Sequence, residues 1–391
     1  MVWGNQRIRV NRLPGLDLLR AIAIVWVMTF HAYIVWDITD DIRPYWQFGW
    51  MGVDLFFVLS GYLIGSQVLK PLARGESLDF GDFYLRRAFR IFPAFFVVLA
   101  LYALWPDFRE QPGMQPVWQF LTYTVNLLID TTKNLAFSHV WSLCVEEHFY
   151  LLFPLLAWLL TRRASLGKTV TVFLIILLGG IALRSFIWLH WMQPVRDADD
   201  NRYGTIFLEH IYYPSYSRLD GLLAGVVLAA IQVWRPSWWT RMQAKANLLM
   251  LAGVAVVAAS MWIFTDRAGF TATSIGYPLL SLGLALLACA ASGTQSWLGR
   301  WRVPGAGWLA LASYSLYLSH KGVFHLVQKA LAAYPRVHGL AAFACYALAT
   351  LLAGALLHYV VERPFLRWRD AWLRHPAQKQ LSIGVTDSAN A

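Results

Sequence analysis

A hydrocarbon core about 30 Å thick is crossed by roughly 20 apolar residues wound as a helix. Ten stretches of this chain approach or exceed that length: 16–36, 46–69, 90–105, 141–160, 170–190, 209–232, 247–265, 272–292, 306–330 and 340–361. The third is short and is expected to extend back into 84–89. Composition agrees, since 58% of the residues are hydrophobic and only 14% are charged, against about a quarter charged in soluble domains. The pattern predicts an all-α fold, a polytopic transmembrane helix bundle of about ten spans. An eleventh candidate, 117–129, is shorter and carries Gln119, Thr122, Thr124 and Asn126. That length suits one re-entrant or interfacial segment better than a span.

The net charge of +11 would suit a nucleic-acid partner, but the distribution of the basic residues argues against one. Lys and Arg collect in cytoplasmic loops. With ten spans, 21 basic residues fall on one side and seven on the other, with Arg20, Arg184, Arg218, Lys321 and Lys329 inside spans. The larger set includes Arg7, Arg9 and Arg12 at one end of the chain and Arg374 and Lys379 at the other. Both termini are therefore expected in the cytoplasm, and the basic charge is largely a topological signal. Counting 117–129 as a span would put Arg162, Arg163 and Lys168 outside and spoil the alternation. Residues 1–374 are expected to form a single transmembrane domain, followed by a short polar cytoplasmic tail, 375–391, of disordered composition. The basic leader runs into a long apolar stretch without a small-residue cleavage site, so the first helix is read as uncleaved. Cys144, Cys289 and Cys345 lie in apolar stretches and fit no zinc or redox spacing, and no metal is expected.

Charge inside a bilayer costs several kcal/mol by most measures, about 3 on insertion scales, so an intramembrane ionisable residue points to function. The first span holds Asp17, Arg20 and His31. Arg20 and His31 are eleven residues apart, about three turns, which sets them on one helix face with about 16 Å between them. Asp54, Glu146, Glu147, Arg218, Asp220, His320 and Lys321 lie at depths comparable with His31, in the outer halves of their spans. Such groups can neutralise one another, or line an outward-facing polar cavity. On the other side Arg86, Arg87 and Arg90 precede Ile91-Phe92-Pro93, and Arg binds phosphate through bidentate, charge-assisted bonds. Phosphate-binding character at Arg20, Arg87 and Arg90 thus faces acid–base character at His31, Asp54 and Glu146. That layout suits a phosphate-rich thioester donor entering from the cytoplasm and a hydroxyl acceptor arriving from the other side. An unperturbed imidazole titrates near neutral pH, and His31 serves either as base toward the acceptor or as a transient carrier of the acyl group.

These residues resemble a known family, the membrane-bound acyltransferase family 3 of bacterial integral-membrane O-acyltransferases. Leu16-Asp17-Leu18-Leu19-Arg20 through His31 is similar to its Arg-(ten residues)-His element. Gly52-Val53-Asp54-Leu55-Phe56-Phe57-Val58-Leu59-Ser60-Gly61-Tyr62 resembles its second-helix motif, and Arg87-Ala88-Phe89-Arg90 its Arg-x-x-Arg. Trp141-Ser142-Leu143-Cys144-Val145-Glu146-Glu147-His148-Phe149-Tyr150 is similar to the family's Ser-Leu-x-Val-Glu-Glu-Gln-Phe-Tyr element, with His148 in place of Gln. Tyr314-Ser315-Leu316-Tyr317-Leu318-Ser319-His320 and Val361-Glu362-Arg363-Pro364-Phe365 resemble the closing motifs. The resemblance implies an acyl-CoA donor, usually acetyl-CoA, and transfer across the bacterial cytoplasmic (inner) membrane to a hydroxyl of a glycan or lipid-linked saccharide. It implies that His31 is essential, that Arg20, Arg87 and Arg90 lie on the donor side, and that Asp54 and Glu146 support the site. Glu147, Arg218, Asp220 and His320 are candidates for substrate contact or support. Unlike in some relatives, no SGNH-type hydrolase domain is expected after the last helix, so this protein completes the transfer or passes the acyl group to a separate partner. The alternative is a flippase or transporter for a lipid-linked glycan, in which the intramembrane His and carboxylates relay protons.

Overall fold

The computed structural model describes residues 13–35, 46–162, 165–198, 200–334 and 336–373. The 375–391 tail, the leader arginines Arg7, Arg9 and Arg12, and Arg163, Arg374 and Lys379 lie outside the described residues. The described chain is helical throughout: α1 (Pro14–Val35), α2 (Met51–Ala73), α3 (Phe80–Leu104), α4 (Trp141–Arg162), α5 (Leu166–Ile187), α6 (Asp220–Trp234), α7 (Pro236–Ala244), α8 (Ala246–Ile263), α9 (Tyr277–Ala291), α10 (Ala306–Ala332) and α11 (Gly339–Leu357). No strand occurs among the described residues. α1 opens with Pro at its first position and Asp17 in its first turn, both favourable where backbone N–H groups lack partners. α3 is capped by Asp79, whose side chain accepts from the Asp82 N–H at 2.9 Å.

Among the described residues, eight helices are long and apolar enough to cross a membrane: α1 to α5, α8, α9 and α11. Two of the ten expected spans differ. The stretch 306–330 is one long helix, α10, but its Ser, His and Lys content sets it apart from the apolar eight. Its polar residues Ser315 and His320 are fully buried, in keeping with a helix whose polar groups face protein. The stretch 209–232 is not one helix. A π-helical turn, Phe207–Tyr212, gives way to an irregular segment with a single 3-10 turn, Ser215–Ser217, before α6 begins at Asp220. Pro214 accounts for the break, because it lacks an N–H and disfavours helix at the preceding residue. Segment 117–129 forms two short helical pieces, Val117–Leu121 and Val125–Leu128, either side of Tyr123 with φ +55°. Neither piece is long enough to cross.

The described chain divides into two compact units. The first comprises residues up to Leu78 and Gln111–Ser313; the second comprises Asp79–Glu110 and the chain from Tyr314 onward. In the first, α2 is central and its closest partner is α6. Both carry glycines four apart, Gly61 and Gly65 on α2, Gly221 and Gly225 on α6. A Cβ at Gly61 would meet the Leu222 backbone, and one at Gly225 the backbone of Val58 and Tyr62. Small residues at this spacing let two membrane helices approach backbone to backbone. Asp54 lies two turns before Gly61 on the same face, so this contact carries Asp54 to the start of α6. Gly225→Leu is expected to destabilise the protein by about 1–3 kcal/mol through overpacking. Thermal unfolding in detergent checks this against Gly179→Leu, where nothing lies within 4 Å and little change is expected.

In the second unit, Glu362 is 1% exposed and gathers three partners. Its carboxylate pairs with Arg90 at 2.6 Å, accepts from Ser315 Oγ at 2.7 Å, and lies 2.9 Å from His358 Nδ1. The Tyr314 hydroxyl donates to the Ile91 carbonyl at 2.9 Å, tying α10 to α3.

Candidate functional site

His31 lies in the last turns of α1, half-buried, with Nδ1 at 3.1 Å from the Val27 carbonyl one turn earlier. A carbonyl only accepts, so Nδ1 carries a proton here, and in the neutral ring the lone pair is then on Nε2. The helix thereby sets the tautomer that a base needs. Arg20 is half-buried on the same face of α1. An apolar cleft of about 420 Å³ runs along the opposite face, lined by Leu18, Ala21, Ile22, Val25 and Trp26 with Trp46, Pro304 and Leu309. Its lining carries no acid, base or cation, so the chemistry belongs on the other face.

That other face meets a second histidine. His139 is 2% exposed, and its ring centroid lies 6.4 Å from that of His31. The chain turns into this position at Phe137, whose φ of +60° is unusual for a bulky residue. Burial of Phe137 and its stacking on Phe120, at 5.5 Å, hold the turn. His139 was not among the sequence candidates. Its only signal is its position two residues before the Trp141-Ser142 element.

Asp54 is 2% exposed and its Oδ1 accepts from Arg218 Nη2 at 2.7 Å. Arg218, 1% exposed, also donates to the Tyr212 carbonyl at 3.2 Å, and its guanidinium lies 4.2 Å from the Tyr277 ring and 4.6 Å from Tyr212. Asp220 pairs with Arg184, a residue assigned no role from sequence. All five Arg184 N–H groups are used: Nε to Thr273 O, Nη1 to Ser217 O and Asp220 Oδ2, Nη2 to Asp220 Oδ1 and Ser274 O. These bonds explain how a broken helix survives at this depth. Backbone groups freed inside a membrane must find partners, and here side chains supply them. Ser217 Oγ serves the Ile211 and Pro214 carbonyls, Arg218 that of Tyr212, Asn126 that of Tyr213, and Arg184 that of Ser217. Arg218 and Asp220 are thus framework for the break.

Glu146 accepts from Ser60 Oγ and from the Tyr150 hydroxyl, both at 2.8 Å, while Ser60 and Tyr150 lie 3.0 Å apart. This closed ring joins α2 to α4. Glu147 follows it, half-buried. His148 Nδ1 is 2.7 Å from Ser215 Oγ, which also accepts from Asn126 at 2.8 Å. The residue that replaces Gln in the motif therefore braces the broken segment.

Arg87, Arg90 and His320 belong to the second unit. Arg87 is half-buried, and Arg90 is engaged by Glu362. His320 is fully buried and its Nδ1–H donates to the Tyr317 carbonyl at 2.7 Å. Beside it Lys321 pairs with Glu110 at 2.8 Å. Burial pushes the Glu110 carboxyl up, but the Lys321 ammonium, together with hydrogen bonds from its own backbone and from Tyr102, holds the group below the usual range. The structure therefore groups Asp54, Arg218 and Asp220 around the break, and leaves His31 beside His139.

The family model described as an acyltransferase domain, that of acyltransferase family 3, matches residues 13–359. The chain is 26% identical over 337 residues to "Putative peptidoglycan O-acetyltransferase YrhL" of Bacillus subtilis, covering 80% of this chain and 49% of that protein. It is 28% identical over 326 residues to "O-acetyltransferase OatA" of Staphylococcus aureus, covering 79% and 50%. The chain thus spans about half the length of the curated relatives it matches. No solved structure matches. The family match begins one residue before α1 and ends in the turn His358–Glu362, so it takes in both compact units, the histidine pair and the buried arginines. A many-helix membrane chain matched over that whole extent belongs to acyltransferase family 3.

Proposed function

We propose that this protein is an O-acyltransferase of the bacterial cytoplasmic membrane that moves an acetyl group from acetyl-CoA to a hydroxyl of a glycan. The observation that carries the reading is the His31 imidazole, whose Nδ1–H is fixed on Val27 O, which in the neutral ring makes Nε2 the basic nitrogen. Nε2 takes the proton of the acceptor hydroxyl as its oxygen attacks the thioester carbonyl. The C–S bond then breaks, and the departing CoA sulfur recovers the proton from the imidazolium, so atoms and charge balance. The His139 ring excludes water beside His31. In the second unit Arg87 serves the phosphates of the donor, with Arg90 held beside it by Glu362; in the first, Arg20 is a separate donor-side candidate. Asp54 and Glu146 act by holding helices in register, and the relatives' names support acetyl as the group and a cell-wall glycan as the acceptor. The loop-charge bias supports cytoplasmic termini, which puts Arg20 on the donor side and His31 toward the acceptor.

The test is acetyl-CoA turnover by the purified chain in proteoliposomes of verified orientation, with labelled acetyl-CoA and a cell-envelope glycan extract. CoA release with label in glycan is expected. No release with any acyl-CoA, together with glycan crossing the bilayer, would replace this reading with the flippase. In the same assay Arg87→Ala is expected to raise the apparent KM for acetyl-CoA about tenfold by loss of charge-assisted phosphate bonds, with kcat affected less. An unchanged KM would return Arg87 to a topological role.

A further inference from the structure

We propose that Arg267 anchors an anionic group, a carboxylate or phosphate, on the acceptor glycan beside His31. The proposal rests on the acyltransferase reading and narrows its acceptor to the acidic glycans.

Three guanidinium groups enter the polar layer of the first unit. Arg184 is matched by Asp220 and Arg218 by Asp54. Arg267 makes no ion pair among the described residues. Its neighbour Asp266 is exposed and turns to Arg196 at 3.7 Å. Among the described residues, Asp54 and Asp220 are each engaged by one of the other two guanidinium groups, and the half-buried Arg267 has no carboxylate bonded to it.

What surrounds Arg267 is aromatic. Its Cζ lies 4.2 Å from the Tyr212 ring centroid, 4.4 Å from Trp50, 5.7 Å from Phe207 and 5.8 Å from Phe30. Ring faces attract a cation, which holds the half-buried side chain in place, but they offer no lone pair to its N–H groups. The Nε atom is buried and makes no hydrogen bond. A rigid, planar fork of donors held without an acceptor matches a carboxylate or phosphate. Arg218 stands against the same Tyr212 ring yet has its own carboxylate, so bracing the aromatic cluster does not require a cation lacking a counter-ion.

Phe30 ties this group to the chemistry. Its ring centroid is 5.8 Å from Arg267 Cζ and 5.4 Å from the His31 ring. Guanidinium and imidazole thus both lie against one phenyl ring. An acidic sugar held on Arg267 would present a neighbouring hydroxyl to Nε2.

Calorimetric titration of the full chain in phosphatidylcholine nanodiscs tests this without an acyl donor. The probes are a glucuronic-acid-containing tetrasaccharide and its carboxyl-reduced neutral counterpart. Wild type is expected to prefer the acidic form about tenfold or more, as for a hydrogen-bonded charge pair, and Arg267→Gln to erase the preference. Equal binding of the two forms, binding of neither, or a preference that survives Arg267→Gln overturns the proposal. Should that variant fail to fold, Arg267→Lys carries the test, since a point charge in place of the fork is expected to lower the preference severalfold and an unchanged preference overturns it. Phosphatidylglycerol nanodiscs distinguish the other source of an anion. Acidic-sugar binding that disappears there would give the site to a lipid headgroup and overturn the glycan assignment. Intact sugar binding with no acyl transfer in the proteoliposome assay would sink the acyltransferase reading alone.

Discussion

His31→Ala is expected to lower acetyl transfer by about 10²–10⁴-fold, the usual contribution of a positioned general base, with membrane insertion and thermal unfolding close to wild type. The physical basis is local. The imidazole is half-buried, and its recorded hydrogen bond is to a carbonyl of its own helix, Val27 O, which the helix can satisfy without it. CoA release and label in glycan are the measurements, taken beside a detergent melting curve. Full transfer in a folded variant would end the base assignment. His139→Ala provides the contrast. It removes a buried ring packed against Phe137 at 5.2 Å as well as facing His31, so both stability and transfer should fall.

Arg184→Met is expected to be among the most destabilising single substitutions in the chain, by about 3–5 kcal/mol, because it leaves Asp220 buried without its counter-charge. It also removes donors from the carbonyls of Ser217, Thr273 and Ser274. The Ser217 carbonyl belongs to the broken segment and those of Thr273 and Ser274 to the π-helical turn Ala272–Gly276, and carbonyls inside a membrane need donors from the protein. The measurement is the unfolding midpoint in detergent together with the yield of monodisperse protein. Adding Asp220→Asn should recover part of the loss, since the orphaned charge is then gone and the two sites share one network. A midpoint unchanged in Arg184→Met would show that the break is held by other means.

The two substitutions separate what was legible in the residues from what was not. His31 and Arg20 could be found because one helix carries both, and eleven residues of α-helix fix their common face. Arg184 could not be found. In the sequence it is a basic residue within an apolar run, indistinguishable from one snorkelling to a headgroup, and its partners are 33 to 90 residues away. Glu146 was legible as part of a motif, but its role as the hub of a ring with Ser60 and Tyr150 depends on the α2–α4 contact. The glycine pairs of α2 and α6 were not singled out from the residues, and only their packing shows that they face each other. Arg267 was one of the seven basic residues on the less basic side of the membrane, because nothing in its neighbourhood of sequence places four aromatic rings around it.

The sequence by itself determined that the chain is a multi-span helical membrane protein, and the helix face that pairs Arg20 with His31. These follow from the length and period of apolar residues, quantities local to each helix and enforced by the bilayer. Only the tertiary structure decided that the sixth expected span breaks at Pro214, that Asp54 answers Arg218 across 164 residues, and that His139 and Arg267 gather near His31. Those outcomes depend on how closely helices approach and how they are rotated. Backbone-to-backbone packing at Gly61 and Gly225 sets that for α2 and α6, and no periodicity within a single helix encodes its partner.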